Sequence, residues 1–150
     1  MLAERIRIII ADDYSPFRNA LKKLFTRTEE VDVEILGEAE NGQQLVQLVE
    51  ENQPDIVISD IGMPVMNGIE AACELKRLMP MVPIIVFSEY CDVLSEREAR
   101  SEGISALVSK TEPVSVLLDR ARAMLFPHEE RVPFTLENKR KEHQHVHTRS

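Results

Sequence analysis

Four apolar runs of this chain each end on a side chain able to do chemistry. Asp12-Asp13 follow "IRIIIA", Asp60 follows "DIVIS", Ser88 follows "PIIVF" and Lys110 follows "SALVS". Three carboxylates brought within a few ångströms repel one another by on the order of 1–4 kcal/mol per pair, and one lysine cannot neutralise them. A divalent cation resolves the conflict. Oxygen donors without His or Cys select a hard ion, and few protein ligands plus several waters suit Mg²⁺ better than Ca²⁺. Beside such an ion a carboxylate can act as nucleophile toward a phosphoryl group, and Asp60, alone at the end of its run, is the candidate. Asp12 and Asp13 are then candidate Mg²⁺ ligands with Asp60, and the backbone carbonyl of Gly62 is a further one. Ser88 offers a hydroxyl to a phosphoryl oxygen, and Lys110 a compact cation to the phosphoryl group or to Asp60. Singly, each has a plainer reading: a turn or cap aspartate, a loop serine, a surface lysine. Only their convergence carries the chemistry.

Convergence requires that the four runs be parallel strands ending at one rim. The pattern predicts this. Ile6–Ala11 is a near-continuous β-branched run, as expected of a strand covered on both faces. Ser15-Pro16 read as N-cap and first helical residue, and Phe17, Ala20, Leu21, Leu24 and Phe25 recur with helical period. Val33–Ala39 is a second strand. Asn41 caps a helix with Leu45, Leu48 and Val49 inward, stopped by Asn52-Gln53-Pro54. "DIVIS" is the third strand, and Asn67–Met79 a helix carrying Ile69, Ala72, Leu75, Leu78 and Met79. Pro83–Phe87 is the fourth strand, followed near Leu94–Glu102 by a helix with a poor apolar stripe, expected to be the loosest. Ser105–Ser109 is the fifth strand, and a last helix from about Pro113 buries Val114, Leu117, Leu118, Ala121, Met124 and Leu125. Strands alternating with helices over short connections imply βαβ units: an α/β, doubly wound, five-stranded parallel sheet with helices on both faces. Ligands of such sheets bind at the carboxyl ends of the strands.

The remaining features bound the function. At 150 residues the chain is sized for one domain, with an ordinary apolar share of 43%. Residues 1–126 form that domain, and residues 127–150, rich in Pro, charge and His, read as a tail. Net charge is −8. The tail holds five Lys/Arg against four Asp/Glu, which leaves 13 against 22 in residues 1–126. So acidic a body argues against direct nucleic-acid binding. No 18-residue apolar run predicts membrane insertion, and "MLAERIRIIIADD" reads as a first strand rather than a signal peptide. Cys73 and Cys91 lack metal-ligand spacing and read as ordinary thiols, consistent with the cytoplasm. His143, His145 and His147 alternate at a polar terminus, the pattern of a solvated tail rather than a metal site.

With these residues in place, the chain resembles the receiver domain of two-component response regulators. "IIIADDYSPFR", "DIVISDIGMPVMNGIE", "PIIVFS" and "GISALVSK" match that family's landmark segments in order, over roughly residues 5–126. The resemblance implies a flavodoxin-like strand order 2-1-3-4-5. It also implies Asp60 as phosphoacceptor, Asp12 and Asp13 as the acidic Mg²⁺ pair, Ser88 as switch hydroxyl and Lys110 as phosphate-facing lysine. The expected function is a phospho-accepting switch of a two-component or phosphorelay system, not a turnover enzyme. Its partners would be a histidine kinase or histidine phosphotransfer protein and a downstream protein; pairing of two copies through the last helices is left open. The chain departs from the family where Leu107 replaces the usual switch aromatic, where Glu89 replaces a small residue after Ser88, and where Thr111 replaces a frequent proline after Lys110. Tyr90 follows Glu89 and could screen the phosphoryl group from water. Two alternatives follow: an interaction module whose binding ignores phosphorylation, or a Mg²⁺-dependent aspartyl-phosphate phosphatase. The phosphatase usually needs a second Asp where Gly62 stands.

Overall fold

A computed structural model describes residues 5–27, 32–89 and 96–126 of the chain. They alternate as β1 (Arg5–Ala11), α1 (Ser15–Arg27), β2 (Asp32–Ala39), α2 (Gly42–Asn52), β3 (Ile56–Ser59), α3 (Gly68–Leu78), β4 (Ile84–Ser88), α4 (Glu96–Ser101), β5 (Ala106–Ser109) and α5 (Ser115–Leu125). The five strands pair in parallel in the order β2-β1-β3-β4-β5. This is the doubly wound sheet that the alternation predicts.

The interior strands are β-branched because both of their faces are covered: Ile8, Ile9, Ile10, Ile56, Val57 and Ile85 are all fully buried. Successive residues of a strand face opposite sides, so the sheet divides the core into two layers. Ile8, Ile10 and Ile58 pack with Leu21, Phe25, Leu117 and Leu118 of α1 and α5. Ile9, Val57 and Val86 pack with Leu45, Val49, Leu75 and Ala99 of α2, α3 and α4. The β1–β2 register shifts between Ile8, which faces Ile35, and Ile9, which faces Gly37, so that Leu36 is an extra residue in β2.

Local chemistry sets the helix ends. The Asn41 side chain accepts from the Gln44 amide at the start of α2. Asn67 is the N-cap of α3 rather than its first residue, and forms a reciprocal capping box with Glu70. Ser15, expected as a cap, is already helical, and the Tyr14 carbonyl accepts from the amides of Phe17 and Arg18. The inward face of α1 also differs from expectation: Ala20 is exposed and Arg18 is buried. On α3, Leu78 is exposed at 38%. Of α4, six residues are helical, and Ala99 anchors them in the second layer. Tyr90, Cys91, Leu94 and the 127–150 tail, with His143, His145 and His147, lie outside the described residues.

The connection from β3 to α3 is wedged in place by two close approaches. The Gly68 amide donates to the Ile61 carbonyl at 2.8 Å, and a Cβ on Gly68 would lie 1.9 Å from the Asp60 carbonyl oxygen. The Gly42 amide donates to the Met66 carbonyl at 2.7 Å, where a Cβ on Gly42 would lie 2.3 Å from the same oxygen. Backbone cannot retreat as a flexible side chain can. Gly68→Ala is therefore expected to destabilise the protein by about 3 kcal/mol, read as a lowered urea midpoint. An unchanged midpoint would show that the turn behind Asp60 is looser than this geometry.

Candidate functional site

Each acidic residue is set at the rim by the strand it leaves. The Asp12 amide donates to the Ala39 carbonyl at 3.0 Å, continuing the β1–β2 pairing by one residue. The Asp60 amide donates to the Ala11 carbonyl at 2.9 Å, which ties the end of β3 to the end of β1. One carboxylate oxygen from each of Asp12, Asp13 and Asp60 then lies within 4.8 Å of the others. Asp12 is buried, 2% exposed, while Asp13 is exposed and Asp60 intermediate. The Asp12 carboxylate accepts from the Tyr14 amide at 2.9 Å and from Lys110 Nζ at 2.8 Å. Asp60 accepts from the Ile61 amide at 2.9 Å and stands 3.6 Å from Lys110 Nζ.

These groups face a cleft of about 480 Å³ that Gly62, Tyr14 and Glu89 also line. Asp12, Asp13, Asp60, Gly62 and Lys110 thus converge as expected. Ser88 does not line the cleft. It is fully buried at the end of β4, opposite Ser109, and its carbonyl accepts from the Lys110 amide at 3.0 Å. Leu107 is half-buried and packs in the second core layer. The described peptide bonds are all trans, including the one before Thr111.

Electrostatics oppose the bare cluster. Burial, reinforced by the Asp12 charge, pushes the Asp60 carboxyl above its ordinary range despite the opposing Lys110 ammonium. Burial would lower Lys110, but its bond to Asp12 and the charges of Asp60 and Asp12 outweigh it and raise the ammonium pKa. Lys110 therefore stays charged, and it also lies 4.2 Å from the centre of the Phe17 ring. Phe17 in turn packs on Phe87, the residue before Ser88, at 5.2 Å. The convergent donors are all oxygen and carry three negative charges against one positive, a set that fits a hard divalent cation.

A profile of the response regulator receiver domain matches residues 8–122. This chain belongs to the response regulator receiver family. It is 40% identical over 114 residues to the transcriptional regulatory protein PdtaR of Mycobacterium tuberculosis, covering 75% of this chain and 53% of that protein. It is 30% identical over 120 residues to the transcriptional regulatory protein DegU of Brevibacillus brevis, covering 80% and 50%. The receiver thus spans about half the length of these curated relatives. Among solved structures it resembles the response regulator domain of Thermotoga maritima CheB, with a TM-score of 0.71, 27% identity, and coverage of 81% of this chain and 98% of that one.

Pattern reading missed three features of this receiver. Arg18 is hidden because a charged residue inside a helix reads as solvated, whereas here it is buried. Phe17 reads as core, and its spacing gives no sign that it is the ring beneath Lys110. Val65, 75% exposed, has φ of 69°, and the Met66 amide donates across it to the Pro64 carbonyl at 2.7 Å, a γ-turn that a β-branched residue enters with strain. Nothing in residue type signals this, since valine there looks like any loop residue. Val65→Asn is expected to raise stability by about 1 kcal/mol, because Asn tolerates this backbone region and little burial is lost. A lowered thermal midpoint would refute the strain.

Proposed function

We propose that this receiver is a phospho-accepting switch in which Asp60 takes a phosphoryl group from a phosphohistidine of a histidine kinase or phosphotransfer protein. The observation that carries the reading is the convergence of Asp12, Asp13 and Asp60 with Lys110 in one cleft. Asp13, Asp60 and the Gly62 carbonyl would hold Mg²⁺, with Asp12 acting in part through water. Held by these groups, such an ion would supply positive charge to offset the carboxylates and the phosphoryl oxygens. In the transfer the P–N bond of the donor breaks and a P–O bond to the Asp60 carboxylate forms. Lys110, already poised between Asp12 and Asp60, is free to turn from Asp12 toward the new dianion.

Ser88, buried at the end of β4 beside Glu89, would offer its hydroxyl to a phosphoryl oxygen through a shift at the end of β4. That shift would bias α4 and β5, and a downstream protein would read it. With Leu107 in place of an aromatic, the shift runs without a rotating ring at that position. The receiver accepts phosphate rather than turning over a substrate, works in the cytoplasm, and makes no direct nucleic-acid contact with its acidic body.

The test is incubation of purified protein with Mg²⁺ and a small phosphodonor such as phosphoramidate. One hydroxylamine-labile phosphoryl group per chain is expected, and none in EDTA. Absence of uptake with Mg²⁺ present overturns the reading.

A further inference from the structure

The peptide that joins Asp12 to Asp13 is held from behind by a buried cation. Arg18, on the second turn of α1, donates through Nη1 to the Asp12 carbonyl at 2.6 Å. Its Nε donates to Glu38 Oε1 on β2 at 2.9 Å, and Nη2 lies 4.0 Å from Glu40. Glu38 is fixed in turn by Lys22 at 2.5 Å, and the Lys22 bond, aided by Arg18, holds its carboxyl below the ordinary range. The Arg18 side chain is only 11% exposed. Its fork therefore spans from an anchored carboxylate on β2 to one backbone oxygen at the site. The Asp12 amide is already fixed to Ala39, so the Arg18 bond fixes the next peptide plane and with it the direction in which Asp13 leaves the chain.

We propose that Arg18 is a positioning residue: by clamping the Asp12–Asp13 peptide against β2, it sets how well the acidic cluster binds a divalent cation. The proposal rests on the metal reading above. It also runs against simple charge arithmetic, which makes it testable by sign. Removing a cation near three carboxylates strengthens cation binding by Coulomb attraction alone. Loosening a group that orients metal ligands weakens it, typically by 10–100-fold. Arg18 never touches the ion, so a role in overall stability alone would leave the affinity of the folded protein unchanged.

The experiment titrates the full chain with Mn²⁺, followed by electron paramagnetic resonance. Arg18→Met is expected to weaken Mn²⁺ binding about tenfold. Arg18→Lys, which keeps the charge and loses the fork, is expected to weaken it by a smaller factor of at least about threefold. Leu24→Ala on the same helix removes packing in the first core layer without touching this network, and is expected to leave the affinity unchanged. In metal-free protein, amide NMR resonances of Asp13 and Tyr14 are expected to shift in Arg18→Met. Affinity in either Arg18 variant equal to or tighter than wild type overturns the proposal; should Arg18→Met not fold, Arg18→Lys decides. Wild-type protein that takes up no Mn²⁺ overturns the metal reading itself and this proposal with it.

Discussion

Asp60→Asn is expected to take up no phosphoryl group from a small phosphodonor and, without divalent cations, to be more stable than the wild type. The first half follows from chemistry: a carboxamide is no nucleophile toward phosphorus, and Asp12, 2% exposed and already bonded to Tyr14 and Lys110, cannot substitute for it. The second half follows from the cluster's repulsion. Asn keeps an oxygen for the Ile61 amide while removing one of three crowded negative charges, a gain on the order of 1 kcal/mol. The gain depends on pH in a stated direction. Burial raises the Asp60 carboxyl in the folded protein, so its contribution to stability is fully present below its unfolded carboxylate pKa and is lost as pH rises through the raised value. The advantage of Asn therefore grows across that window and vanishes in acid, where Asp60 is protonated anyway. Urea unfolding in EDTA at several pH values measures it, and phosphate appearing equally on the variant would sink the assignment of Asp60.

Lys110→Met is expected to show the opposite balance. It strips the ammonium from a nearly buried Asp12 at 2.8 Å and leaves three carboxylates with no cation among them. Removing one partner of a buried pair costs about 3–5 kcal/mol, far more than the pair's net worth, because the surviving charge is left desolvated. The loss also removes the cation that lies over the Phe17 ring. Since a divalent cation can replace part of the missing charge, Mg²⁺ is expected to raise the thermal midpoint of Lys110→Met more than that of the wild type. Denaturation curves with EDTA and with saturating Mg²⁺ check both statements. A deficit under about 1 kcal/mol in EDTA would mean that Asp12 is better solvated than its burial indicates.

Much of this was legible in the residues because the signals are redundant. Four of the five strands are apolar runs closed by a polar residue, and each of their rim side chains is fixed once the strands are parallel. Asp12, Asp60 and Lys110 could therefore be brought together from spacing alone. Ser88 shows the limit: the pattern gives its position at the end of β4 but not its complete burial, which depends on the packing around it. Arg18 shows another. A helical arginine is solvated far more often than buried, and only the juxtaposition of Glu38 and the Asp12 carbonyl across three elements makes burial favourable. Gly68 and Gly42 look like ordinary turn and cap residues. Their need for a missing side chain appears only when the Asp60 and Met66 carbonyls are seen beside them.

The extra residue at Leu36 carries a consequence for the acidic cleft. A strand's side chains alternate with strict parity, and one inserted residue inverts that parity for everything after it. Before the insertion Val33 and Ile35 lie on the α1 side of the sheet; after it Glu38 does, while Ala39 lies on the α2 side. Were the same β2 residues paired evenly with β1, without the bulge, Glu38 would fall opposite Ala11, delivering alanine to the Arg18 side and a carboxylate into the apolar layer beneath α2. The irregularity in an edge strand is thus what lets one face of the sheet supply greasy packing at its start and an ionic anchor at its finish.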